Sequence, residues 1–87
     1  MVRAQVTVGN KDGIHLEFAN RIVNVADQFH SRIHLKTDYM DINAKSIINL
    51  VSGVLRYGDT LLCVCDGSDE KEALAAMKEI IESASDE

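Results

Sequence analysis

The sequence predicts an α/β open-faced sandwich, a two-layer fold in which a four-stranded antiparallel sheet carries three helices on one face. Three observations predict it. Four short segments alternate apolar and polar residues, and three longer ones repeat apolar residues at three- and four-residue steps. The two kinds follow one another as β-α-β-β-α-β-α. Strands with one polar side leave that side to water, so the helices gather over the other. With 87 residues, 46% of them hydrophobic, no proline, no repeat and no low-complexity run, the chain reads as a single domain over residues 1–87.

Each element has its own justification. Val2, Ala4, Val6 and Val8 share one face of a first strand, with Arg3, Gln5 and Thr7 on the other. The polar turn Gly9-Asn10-Lys11-Asp12-Gly13 leads into a helix from Leu16 to Phe29, striped by Ala19, Ile22, Val23, Ala26 and Phe29. Ile33, Leu35 and Thr37 alternate as a second strand, and Tyr39 to Ile42 forms a third beyond a tight turn at Asp38-Tyr39. Tyrosine tolerates positive φ poorly, so this hairpin is expected to depart from the common glycine-bearing turn. Ser46 is placed to cap a helix from Ile47 to about Leu55, with Gly53 inside it. Thr60 to Cys65 makes the fourth strand. Ser68 is placed to cap the last helix, whose first turn holds Asp69 and Glu70 and whose stripe is Ala73, Leu74, Met77, Ile80 and Ile81. Ser83 to Glu87 is expected to fray.

Composition narrows the function. A net charge of −5 argues against direct nucleic-acid binding. No stretch is long and apolar enough for membrane insertion, and the start lacks a signal peptide's apolar core, so a cytoplasmic location is expected. Cys63 and Cys65 fall on one strand face beside Leu61, where small core residues are expected, and no further ligand is spaced for zinc. His30 and His34 flank a turn-to-strand junction and read as surface residues. No metal or other cofactor is expected.

The third histidine is the candidate centre. His15 lies where a strand-to-helix turn opens the first helix, beside backbone N–H groups with no intrahelical acceptor. The dipole there attracts anions, phosphate above all, and disfavours a charged imidazole, leaving the ring neutral and nucleophilic. A histidine in such a place can also simply close a turn with one hydrogen bond.

Gly13-Ile14-His15 with Ala19 resembles the active-site signature of HPr, the histidine-containing phosphocarrier of the bacterial phosphoenolpyruvate-dependent sugar phosphotransferase system. Asn43-Ala44-Lys45-Ser46-Ile47 resembles that family's second signature, and Asp66-Gly67-Ser68-Asp69-Glu70 its last turn. The resemblance implies strand order 1-4-2-3. It also implies phosphoryl transfer from enzyme I through His15 to IIA proteins, by a carrier in a relay rather than a self-contained enzyme.

One departure bears on that chemistry. The family has Gly-Ile-His-Ala-Arg-Pro-Ala, whereas this chain has Leu16, Glu17 and Phe18 after the histidine. The family's arginine would fork onto the phosphoryl oxygens. A carboxylate roughly 5 Å from a dianion is repelled by about 1.5–2 kcal/mol even in water. Weakened transfer is therefore expected.

Two further features follow from the resemblance. Gram-positive relatives are phosphorylated at the serine matching Ser46 by HPr kinase/phosphorylase and then bind a catabolite control repressor, so a regulatory role through Ser46 is the alternative function. An unmodified N-cap serine, worth about 1 kcal/mol, explains the same residue. Ile47, Ile48 and Val51 match the apolar patch by which the family docks its partners, although helical spacing alone equally describes core packing.

Overall fold

A computed structural model describes residues 1–83. The chain runs β1 (Val2–Thr7), α1 (Leu16–Ala26), β2 (Arg32–Lys36), β3 (Asp41–Asn43), α2 (Ile47–Ser52), β4 (Thr60–Asp66) and α3 (Glu70–Glu82). All strand pairs are antiparallel, in the order β1-β4-β2-β3. The expected open-faced sandwich and strand order are both present.

Register explains where the core lies. Val6 pairs with Leu61, Cys63 with both Ala4 and Leu35, and Leu35 in turn with Ile42. These residues share the covered face, because side chains two apart on a strand point the same way. Over them α3 packs on β1 and β4, α1 packs on α3, and α2 bridges α1 and β3. Phe18, Ile22, Leu50, Met77 and Ile81 fill the space between the layers and are fully buried or nearly so. Cys63 and Cys65 are free, buried thiols, as the pattern predicts. Burial, and then its neighbour Cys65, pushes the Cys63 thiol up to about 12, so it behaves as a small apolar core group. Among the described residues, no three His, Cys, Asp or Glu side chains converge as a metal site.

Several boundaries differ from expectation, each for a local reason. Helix α1 ends at Ala26 rather than Phe29, because the Gln28 and Phe29 N–H groups donate three residues back, to Val25 and Ala26, in a tighter turn. Helix α2 ends at Ser52 and excludes Leu55, because Val54 swings to φ 50°. Strand β3 begins at Asp41, since Tyr39 and Met40 belong to the turn, their N–H groups donating to Thr37 Oγ1. Neither Asp38 nor Tyr39 takes positive φ, so the hairpin does depart from the glycine-bearing turn. Asp69 rather than Ser68 is the N-cap of α3. His34 is half-buried at the surface, and its Nδ1 lies 2.6 Å from Asp41 Oδ1 across the hairpin. Ser83 closes α3 by donating its hydroxyl to the Ile80 carbonyl at 2.6 Å, and the remainder of the tail expected to fray lies outside the described residues.

Candidate functional site

The loop before α1 is pinned at both ends. Asn10, almost wholly buried, accepts the Asp12 N–H on its side chain and the Gly13 N–H on its carbonyl, each at 2.9 Å. Gly13 then turns at φ +75°, where a Cβ would lie 2.5 Å from the Leu55 carbonyl oxygen. Only glycine fits both the angle and the approach. The buried Ile14 donates its N–H to that same oxygen at 2.9 Å, and the chain emerges at His15.

His15 is the N-cap residue of α1, in extended conformation with φ −106° and ψ −176°. Its carbonyl accepts the Ala19 N–H at 2.8 Å, the first bond of the helix, while its imidazole makes no capping bond. The N–H groups of Leu16, Glu17 and Phe18 thus stand at the helix end without an intrahelical acceptor. His15, Leu16 and Glu17 are exposed, whereas Phe18 and Ala19 are buried and anchor the first turn in the core. This is an imidazole at an open, anion-favouring helix terminus. A cleft of about 570 Å³ lies elsewhere, between Lys36, Tyr39 and Met40 on one side and Val54 and Leu55 on the other. His15 does not line it, and the exposed tip suits a macromolecular partner better than an enclosed small molecule.

Ser46 is the N-cap of α2, its Oγ accepting the Asn49 N–H at a long 3.3 Å. The loop before it is held by its own side chains: the Asn43 side chain accepts the Lys45 N–H, and Lys45 Nζ donates to the Phe29 carbonyl at 2.7 Å. Of the apolar trio, Ile48 is 76% exposed and Val51 38%, while Ile47 is half-buried and packs on the core. Helical spacing could not separate these cases.

Sequence reasoning missed three residues here. Leu16 adds an exposed apolar side chain beside His15, and its signal was an apolar residue off the helix stripe. Phe18 stands where the family has proline and is a core anchor, four residues before Ile22 on the same face. Arg56 follows Leu55 into contact with the Gly13 turn, and nothing in its sequence neighbourhood marks it.

A family model described as "PTS HPr component phosphorylation site" matches residues 2–83. The chain belongs to the HPr family. Among curated relatives, it is 38% identical to the HPr-like protein Crh of Halalkalibacterium halodurans, over 94% of this chain and 98% of the relative. It is 36% identical to the phosphocarrier protein HPr of Treponema pallidum, over 100% and 99% of the two chains. A crystal structure of HPr from Thermoanaerobacter tengcongensis superposes with a TM-score of 0.89 at 34% identity, covering 95% of this chain and 93% of that one. The family thus includes both phosphocarriers and Crh-type relatives, and no helix among the described residues of this chain is long and apolar enough to cross a membrane.

Proposed function

We propose that this member of the HPr family, a single domain, carries a phosphoryl group on His15, taken from phosphorylated enzyme I and passed to IIA proteins of the sugar phosphotransferase system. The observation that carries the reading is the exposed His15 imidazole at the start of α1, with the N–H groups of the first turn unclaimed by the helix. On loading, the lone pair of His15 Nδ1 forms an N–P bond as the donor's bond to phosphorus breaks; on delivery, that N–P bond breaks as the acceptor's nucleophile bonds to phosphorus. The proton on the other ring nitrogen stays for the reverse step. Backbone N–H groups neutralise part of the charge on the phosphoryl oxygens, which is most of what such transfer asks of a protein. Ile48 and Val51, with Leu16, supply the apolar contact that brings partners to the site. Glu17 opposes the incoming dianion and slows the reaction.

A Crh-like regulatory role is the second reading, favoured by the identity to Crh and by Glu17. It uses Ser46, whose long capping bond leaves the hydroxyl available at a helix start that tolerates a phosphate. Incubation with phosphoenolpyruvate and enzyme I separates the two. The carrier reading expects acid-labile phosphate on the wild type and none on His15→Ala. An unlabelled wild type that is instead phosphorylated at Ser46 by HPr kinase/phosphorylase, and then retained by the catabolite control repressor, replaces it with the second.

A further inference from the structure

Glu17 stands in the first turn of α1 at the position where the family has arginine, and the neighbouring loop brings a different cation. Gly13 packs so closely on that loop that a Cβ there would lie 3.1 Å from the Arg56 Cα. Two residues of chain span at most about 7 Å, so the long side chain of Arg56 has the reach to meet the His15 imidazole. The Arg56 backbone is fixed from its far side as well: its N–H donates to Asp59 Oδ2 at 2.8 Å, and its carbonyl accepts the Asp59 N–H at 3.0 Å. Two residues earlier, Val54 is held at φ 50°, a conformation that a β-branched residue keeps only where its surroundings dictate it. Arg56 is exposed, and among the described residues its guanidinium enters no ion pair.

We propose that Arg56 is the phosphoryl-binding cation of this chain, forking onto the oxygens of the group carried by His15 and offsetting Glu17. The assignment rests on the carrier reading above. A guanidinium matches phosphoryl oxygens bidentately and stays charged at every working pH. Lys11 and Arg21 are the other cations of the region. Lys11 precedes the Gly13 pivot, and Arg21 lies one helical turn beyond Glu17, on the same face of α1.

Chemical phosphorylation by phosphoramidate tests Arg56 without any protein partner. The imidazole lone pair forms the N–P bond as the donor's P–N bond breaks, ammonia leaves with the electron pair of that bond, and the other ring nitrogen keeps its proton as it does in the transfer between proteins. Exposed His30 reacts in the same tube as an internal reference. Arg56→Ala is expected to slow phosphorylation of His15 relative to His30 by roughly three- to ten-fold. Arg56→Lys retains part of the rate, and Glu17→Arg added to Arg56→Ala restores it. An unchanged ratio in Arg56→Ala, an equal fall in Lys11→Ala or Arg21→Ala, or no rescue by Glu17→Arg overturns the assignment. Failure of the carrier reading looks different: the Arg56 effect is present with phosphoramidate, while phosphoenolpyruvate and enzyme I leave His15 unlabelled.

Discussion

His15 and Glu17 stand two residues apart at the exposed start of α1, and they make opposite demands on a dianion. The helix itself gains roughly 0.3–1 kcal/mol from a carboxylate in its first turn. Repulsion between that carboxylate and a phosphoryl dianion, about 1.5–2 kcal/mol at roughly 5 Å, is the larger effect. Glu17→Arg is therefore expected to speed phosphoryl transfer from phosphorylated enzyme I to His15 by roughly ten-fold, with a small loss of thermal stability. Rapid-quench kinetics measures this directly, and equal rates for wild type and variant would remove the penalty assigned to Glu17. The two residues were legible in the sequence because both lie within one motif. Arg56 was not, because its backbone meets the Gly13 turn through a contact between segments some forty residues apart, which no local pattern encodes.

At the scale of elements, the end of α2 is where local preference and tertiary demand part. Gly53 keeps ordinary helical angles at φ −69°, and the left-handed turn falls on Val54 at φ 50°. The turn lets Leu55 drop into the core and offer its carbonyl to Ile14. A left-handed conformation costs a non-glycine residue roughly 1–2 kcal/mol, and glycine returns part of that as unfolded-state entropy. Val54→Gly is accordingly expected to stabilise the fold by about 0.5–1 kcal/mol. Urea unfolding checks it, and a lower midpoint for the variant would mean that the 63%-exposed valine side chain makes contacts worth more than the strain. The same site explains a misread boundary: α2 does stop before Gly53, the usual helix-ending residue, but the apolar spacing to Leu55 carried the expected helix past it, and nothing in the pattern marked a bend at a valine. Periodicity located every strand and helix because each buries one face, but it had no access to the turns, whose hydrogen bonds come from side chains such as Thr37 and Asp59.

Across the whole molecule, the sheet order joins segments distant in sequence, and Asp69 is one of the staples. Its carboxylate accepts the His30 N–H at 2.8 Å, the Ser31 N–H at 3.0 Å and the Ser31 hydroxyl at 2.5 Å, tying the entry of β2 to the start of α3. The sequence offered Asp69 only as a helix-turn acid, since a bond across 38 residues leaves no periodic trace. The Ser31 hydroxyl and then the His30 N–H hold the Asp69 carboxyl down from 3.8 to about 2. The sign follows from linkage. Above the unfolded value both states are ionised and the staple contributes in full. As pH falls from about 4 towards about 2, the unfolded chain takes up a proton that the folded one refuses, and the contribution disappears. Glu70, held down by the Gly67 N–H, and Glu82, held down by the Thr7 N–H, act in the same direction, so part of the acid sensitivity survives without Asp69. Asp69→Asn is therefore expected to melt below the wild type at neutral pH, with the gap closing between about pH 4 and about pH 2. Thermal melts at pH 7, 4, 3 and 2 measure that gap. A gap that stays constant across the series would mean that Asp69 holds the two layers together through the shape of its hydrogen bonds and not through its charge.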